Sequence, residues 1–388
     1  MLRAVRNLFR RPAELPSLVF SRPLVILQSD DWGRVGVRDH EGYDYLRGHG
    51  VRLGERAYDL YSLETAEDVT AVGELLGRHR DSTGRPPCLV MNLCTANLDF
   101  KKMRDRGFKG IETLPLAMGL PGHWSRPGLF DSYRAGIDRG VFYPALHGTT
   151  HFCTAAAESA LGEEGSRAEL LRLFWEAETP YIHWRMPWIG YEYWNPEKPH
   201  AGFVGAERQS DLIREACNNF LGLFGVKPTS ACAPGYRSNR DTRRAWSEAG
   251  VRVAANGSGS GLRAPHLDEF GILHLYRTID FEPSHQELDI EKYMQIAGSC
   301  FSRGLPVIIS VHSINFHSTL KDFRTPSLAG LDSLLSALEA RYPGLLYVND
   351  EDMYGIVTQG AFQNRNAGIS VSVKRRDWNS NLVQAVEQ

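Results

Sequence analysis

From about residue 23 the chain repeats one pattern. A short apolar, β-branched run gives way to a polar or glycine-rich turn, and then to a longer stretch with apolar residues at helical spacing. The runs are Leu24–Gln28, Cys88–Leu93, Val141–Leu146, Thr229–Cys232, Val251–Ala254, Leu273–Arg277, Val307–Val311 and Leu345–Val348, each short enough for a strand. Between them the spacing predicts helices over Thr65–His79, Ala155–Ala177, Glu207–Leu221 and Leu328–Ala340. This alternation predicts a parallel sheet, and seven or eight strands suit a single (β/α) barrel. The interval from about 152 to 228 is too long for one crossover and reads as an insertion. The plan is thus a basic arm over 1–22, a barrel over 23–360 interrupted by that insertion, and a C-terminal extension over 361–388. No repeat of fixed period and no low-complexity segment interrupts it.

Composition narrows the classes. With 44 basic against 46 acidic side chains there is no field to grip nucleic acid, and 42% hydrophobic residues support a sizeable core. No run approaches the roughly 18 apolar residues of a membrane span, and no apolar signal region opens the chain, so the expectation is a soluble, unsecreted protein. The cysteines at 88, 94, 153, 217, 232 and 300 form no CxxC pair and are expected to be reduced thiols in a cytoplasm. The opening MLRAVRNLFRR carries four arginines and no acid, with Leu2, Val5, Leu8 and Phe9 near helical spacing. It reads either as a solvated arm or as a weak contact with the inner membrane surface.

Residues capable of chemistry recur at the carboxyl ends of the predicted strands, which in a parallel barrel converge on one face. The first strand ends in Ser29-Asp30-Asp31-Trp32-Gly33; one carboxylate suits a metal and the other a base, or the pair simply makes a turn. The third ends in His147-Gly148-Thr149-Thr150-His151. Two imidazoles four apart meet one point if the segment turns helically, and with an aspartate they make a three-residue set suited to zinc. The seventh ends in His312, placed to protonate a leaving group. The sixth leads to Asp280, a carboxylate suited to orienting that imidazole and raising its pKa.

Taken together, Ser29-Asp30-Asp31, the His147 and His151 pair and the strand-terminal His312 resemble the first, second and fifth motifs of polysaccharide deacetylases, the NodB-homology or carbohydrate esterase family 4 enzymes. With Ser62-Leu63-Glu64-Thr65, Glu67-Asp68, Gly84-Arg85-Pro86 and Asn97-Leu98-Asp99-Phe100, the resemblance is to a divergent branch and runs from about residue 23 to 320. It implies a distorted (β/α) barrel, a divalent metal, zinc by preference, on Asp31, His147 and His151, Asp30 as general base, and His312 as general acid steadied by Asp280. The family's third motif, Arg-x-Pro-Tyr, is here Cys232-Ala233-Pro234-Gly235-Tyr236-Arg237, with cysteine in the arginine's place. Arg237 or Arg185 would then have to reach Asp30, while the backbone of Gly235 or Tyr236 would meet the oxyanion.

The insertion gathers Trp175, Trp184, Trp188 and Trp194 with Tyr181, Tyr191 and Tyr193. Aromatic faces stack on sugar rings, so Trp184, Trp188 and Trp32 are candidate substrate contacts, with Arg185, Glu192 and Asn195 as a polar rim; the alternative is that the insertion's aromatics are its core. The reading is a metal-dependent hydrolase that removes an N-acetyl group from a sugar of a polysaccharide or its precursor, cytoplasmic and suited to surface-polysaccharide assembly. Hydrolysis of another amide, such as a formamide or ring amide, and glycan binding without catalysis are the alternatives.

Overall fold

The computed structural model describes residues 17–378 except 164, 198–201 and 260. The arm's residues 1–16 and the tail beyond 378 therefore lie outside the described residues. Eight strands carry the architecture, each within one of the eight apolar runs or extending it: β1 (Leu24–Trp32), β2 (Leu89–Leu93), β3 (Phe142–Leu146), β4 (Ser230–Cys232), β5 (Val253–Asn256), β6 (Leu273–Tyr276), β7 (Val307–His312) and β8 (Leu346–Tyr347). They pair in parallel in the order β7-β1-β2-β3-β4-β5-β6, and β8 joins β1 at Leu24 and Val25, below the point where β2 begins to pair at Leu27.

The sheet curls upon itself through one segment. β6 pairs with β5, whereas Ile279 and Asp280, just beyond it, pair with Ile309 and Ser310 of β7. The switch is sealed by Arg277 N–H donating to the carbonyl of Asn256 at 3.1 Å and Thr278 N–H donating to that of Ile308 at 2.9 Å. This closure makes a distorted barrel of the expected class, and it puts Arg277 at the seam.

Period-two alternation sorts the strand residues. Leu24 and Ile26 of β1 pack inside with Val90, Ala145, Val253, Leu273, Leu275 and Ile308. Val25, Leu27, Val307 and Ile309 face outward against the helices, whose Leu331, Leu334, Leu335 and Leu338 belong to the same outer core. Towards the carboxyl ends the interior turns polar: Gln28 donates to Asp350 at 2.8 Å, and Ser230 bonds the same carboxylate. The candidate site residues Asp30 and His312 sit on this polar layer.

Two boundaries differ from the expectation. Ser17–Phe20, assigned to the arm, is a strand, and Arg375–Trp378 of the C-terminal extension pairs with it in antiparallel register, so both ends of the described chain complete the sheet edge beyond His266–Leu267. The expected helix Ala155–Ala177 is two helices, Thr154–Gly162 and Ser166–Glu176, broken where Gly165 takes φ +135°. The rest of the insertion adds a short hairpin, Trp194–Asn195 with Gly202–Phe203, and a long helix, Ala206–Phe224. Trp175 and Tyr193 are buried as its core.

Candidate active site

Inward parity on β1 runs from Leu24 and Ile26 through Gln28 to Asp30, so Asp30 points into the barrel by the same alternation that buries the leucine. The register of β7 against β1 sets His312 beside Asp30. Asp31, next in sequence, would face the outer helices if the alternation continued. The alternation breaks at a bulge inside β1, because Asp31 adopts φ +73°, a left-handed conformation that a residue with a Cβ rarely takes. The strained turn brings both carboxylates to one cavity, at a cost of roughly 1–3 kcal/mol.

Motif residues hold this turn. Tyr61 donates to the Asp31 carbonyl at 2.7 Å, and Glu64 accepts Gly33 N–H at 2.8 Å. Asn97 clamps the turn with both ends of its amide, donating to the Gly33 carbonyl at 2.9 Å and accepting Val35 N–H at 3.0 Å. Thr65 and Asp68 form the capping box of the helix Ala66–Leu76. The Ser62–Asp68 and Asn97 motifs are thus supports for the aspartate pair.

Asp31 is buried, and its Oδ2 accepts from Arg34 at 3.0 Å. Its Oδ1 has no hydrogen-bond partner and faces His151 Nε2 at 3.2 Å and His147 Nε2 at 3.5 Å. The His147 Nδ1–H donates to the Cys232 carbonyl at 2.8 Å, which leaves the Nε2 lone pair free; His151 Nδ1 lies 2.5 Å from the Tyr181 hydroxyl. Burial, with Arg34 beside it, holds His151 well below the usual imidazole range and therefore neutral, as a ligand must be. Burial alone would raise Asp31, but Arg34 and His151 hold it well below the usual carboxylate range. An orphaned carboxylate oxygen and two imidazole nitrogens, all within 4.8 Å of one another, fit a divalent cation.

Asp30, His147 and Cys232 also lie within 4.8 Å of one another but fit poorly. Asp30 is saturated, receiving Arg277 Nη2 at 2.6 Å and Asn92 at 2.8 Å on Oδ1, and Arg277 Nη1 at 2.6 Å on Oδ2. The Cys232 thiol, 3.7 Å from Asp30, is pushed well up by burial and that carboxylate, so it stays neutral.

Arg277 replaces the missing third-motif arginine. Neither expected substitute reaches Asp30: Arg237 lies over Trp194, and Arg185 pairs with Asp59 at 2.9 Å. The small Cys232 lies alongside the Asp30–Arg277 pair, its Sγ 3.9 Å from the guanidinium, and the guanidinium comes from the barrel seam two strands later, also donating to Gln28, Ser310 and the Tyr236 hydroxyl. Burial alone would raise Asp30, but Arg277 and its neighbours hold it well below the carboxylate range. Inward parity at the end of β6, in step with Leu273 and Leu275, was the signal in the sequence.

The partner of His312 is Glu282, not Asp280. Glu282 Oε1 accepts from His312 Nδ1 at 2.6 Å and from its backbone N–H at 3.1 Å, while Oε2 accepts from Asn315 at 2.6 Å. Asp280 is exposed and accepts from Ser258, because Ile279 and Phe281 take the buried positions on either side of it. Burial lowers His312, but the charge and hydrogen bond of Glu282, with Asp30 and Asp31, outweigh it and raise the imidazole to about 9.

These groups line a cavity of about 300 Å³ walled by Tyr58, Tyr61, Tyr181, Trp184, Tyr191 and Tyr236, with Gly235 and His183. Trp32 does not reach it: fully buried, it stacks on Phe316 and donates to Ser29. Trp188 packs on the core under Arg167. Glu192 is no rim residue but lies buried beneath the histidine loop, accepting Thr149 N–H at 2.7 Å, and burial raises it to about 7. Of the two backbone groups expected at an oxyanion, Tyr236 N–H is spent on the Ala233 carbonyl at 2.8 Å. His183, Arg34 and the tyrosines at 58 and 61 had no strand-end position to mark them.

No protein-family model matches the chain, and no curated protein matches it. Solved structures similar to it include a family 4 carbohydrate esterase from Streptomyces lividans in complex with acetate, 11% identical over 84% of this chain and 92% of that one, with a TM-score of 0.34. The chitin deacetylase of the fungal pathogen Colletotrichum lindemuthianum is 10% identical over 87% and 91%, with a TM-score of 0.38. The 4-alpha-glucanotransferase of Thermococcus litoralis is 10% identical over 86% of this chain and 40% of that one, with a TM-score of 0.46. The roles of the residues rest on the geometry of the site itself.

Replacing Arg277 with Met leaves the Asp30 carboxylate buried beside a neutral thiol. The expected loss is about 3–5 kcal/mol in denaturant unfolding at pH 7, with most of it regained when Asp30 is also made Asn. A single variant as stable as the wild type would show that the pair does not hold the barrel.

Proposed function

We propose that the protein is a metal-dependent hydrolase that removes the acetyl group from an N-acetylated sugar. The observation that carries this reading is the partnerless Asp31 Oδ1 facing the Nε2 atoms of two imidazoles, with an arginine-held carboxylate and a glutamate-held imidazole on the same cavity. A divalent ion held by Asp31, His147 and His151 would supply Lewis acidity, polarising the amide carbonyl and acidifying water.

The chain's own groups supply the proton transfers. Asp30 is ionised at any working pH, and the Arg277 fork fixes its orientation as it takes a proton from the attacking water. Its low pKa makes it a weak base, so it suits a water already acidified. His312 is cationic below about 9 and lies 4.0 Å from Asp30. It gives its proton to the nitrogen as the C–N bond breaks, so the amine leaves neutral and acetate remains. The tyrosine and tryptophan faces of the cavity, about 300 Å³ in volume, suit one sugar ring. Six buried, unpaired thiols suit a reducing compartment, and we assign the substrate to an intracellular glycan or glycan intermediate.

The direct test is acetate release from N-acetylated sugars and oligosaccharides by zinc-loaded protein, with metal content measured alongside. His147→Ala should lose metal and turnover together, and Asp30→Asn should keep the metal and lose turnover. A fully metallated, active His147→Ala protein would remove the ligand assignment, and release of formate but not acetate would move the reading to a formamide.

The pH dependence follows from His312. Its folded pKa, about 9, is above the ordinary 6.5, so the proton donor is present below 9 and lost above it. Its ion pair with Glu282 likewise stabilises the fold fully below about 6.5 and ceases to do so as pH rises through 9. In Glu282→Gln the alkaline limb of kcat should move from near 9 down towards 6.5. An unmoved limb would mean that another group donates the proton.

A further inference from the structure

A second cleft, of about 550 Å³, adjoins the first and shares one residue with it, Tyr236. That tyrosine is held unusually. It adopts φ +56°, its hydroxyl accepts from Arg277 on the active-site side, and the residue is 39% exposed. The ring packs against Gly257, where a Cβ would sit 3.0 Å from it and press on it. Strain at a wall between two cavities is the kind of constraint that functional surfaces retain.

Beyond Tyr236 the floor is a ladder of flat groups. The His266 and His274 rings stack at 4.9 Å and 9°, Tyr276 stacks on His266 at 5.8 Å, and the Arg263 guanidinium lies 5.3 Å over Tyr276. The charges in the cleft are unequal. Asp268 is consumed by the N–H groups of Phe270 and Ile272, by His274 and by Arg243, and Glu269 by Arg240. Among the described residues no carboxylate pairs with Arg263, which leaves a planar cation at the open end. A guanidinium in that state, above a stacking platform, recognises a carboxylate or phosphate oxygen pair.

We propose that this cleft binds an anionic group of the substrate, one position from the acetamide that is cleaved. Building on the deacetylase reading, the substrate is then an acidic or phosphate-bearing glycan, not a neutral one, with its chain crossing the Tyr236 ring. Arg263 makes the ionic contact, and the His266–His274–Tyr276 face supports the neighbouring ring.

Calorimetry on the zinc-loaded full chain tests this with three ligands: the methyl glycoside of N-acetylglucosamine, N-acetylglucosamine 1-phosphate, and a disaccharide joining glucuronate to N-acetylglucosamine. At low salt, one or both anionic ligands should bind at least about tenfold more tightly than the neutral one, and which does so identifies the anion. Arg263→Ala should abolish that preference while leaving the neutral glycoside unchanged, and Arg263→Lys should restore part of it. Equal affinities in the wild type, an undiminished preference in Arg263→Ala, or no binding by any of the three overturns the proposal. Failure of the deacetylase reading is separate, since it appears as absence of acetate release even where an Arg263-dependent preference is measured.

Discussion

Everything at the mouth of this barrel depends on one buried ion pair. Asp30 and Arg277 are both almost without solvent contact, and two charges removed from water cost several kcal/mol each unless their mutual geometry compensates. Here it does: the guanidinium forks onto both carboxylate oxygens and spends its remaining N–H groups on Gln28, Ser310 and Tyr236. The pair also joins distant parts of the chain, because Asp30 lies near the carboxyl end of the first barrel strand and Arg277 sits where the sixth hands its pairing from β5 to β7. Closing the barrel and charging its active layer are therefore one event.

A second constraint follows from alternation. Two adjacent residues of a strand face opposite sides, yet the site needs both Asp30 and Asp31. The left-handed turn at Asp31 resolves the conflict, and Tyr61, Glu64 and Asn97 over-determine it through hydrogen bonds to the backbone at Asp31, Gly33 and Val35. His151 shows the same solution, with φ +71° at the end of a loop that Glu192 supports from beneath. Glycine is required at 148 for that support, since a Cβ would fall 1.8 Å from the Glu192 carboxylate.

Much of this was legible before any coordinates. The eight apolar runs became the eight strands because β-branched residues buried on both faces of a parallel sheet leave continuous apolar signatures. The aspartate pair, the histidine pair and His312 stand at strand ends, where chain direction alone gathers them. What could not be read were partners chosen by side-chain reach across the barrel. Asp280 looked suited to steady His312 by position, but burial of Ile279 and Phe281 turns it to solvent, and the turn that follows delivers Glu282 instead. The apolar run places Arg277 as the last residue of a strand, and only closure of the sheet shows that it faces Asp30. Trp32, beside two acids, reads as a sugar platform, and strict alternation would point it inward, but the bulge between Ser29 and Trp32 turns it into the outer core.

On the proposed reading Asp31, His147 and His151 hold the metal, while Asp30 is withheld from it by its arginine. The measurement that tests it most directly is anomalous diffraction at the zinc edge from crystals grown with one equivalent of zinc. A single strong peak bounded by Asp31 Oδ1, His147 Nε2 and His151 Nε2 is expected, with the Asp30–Arg277 fork intact. A peak bounded instead by Asp30, His147 and Cys232, or no peak between the two histidines, would contradict it.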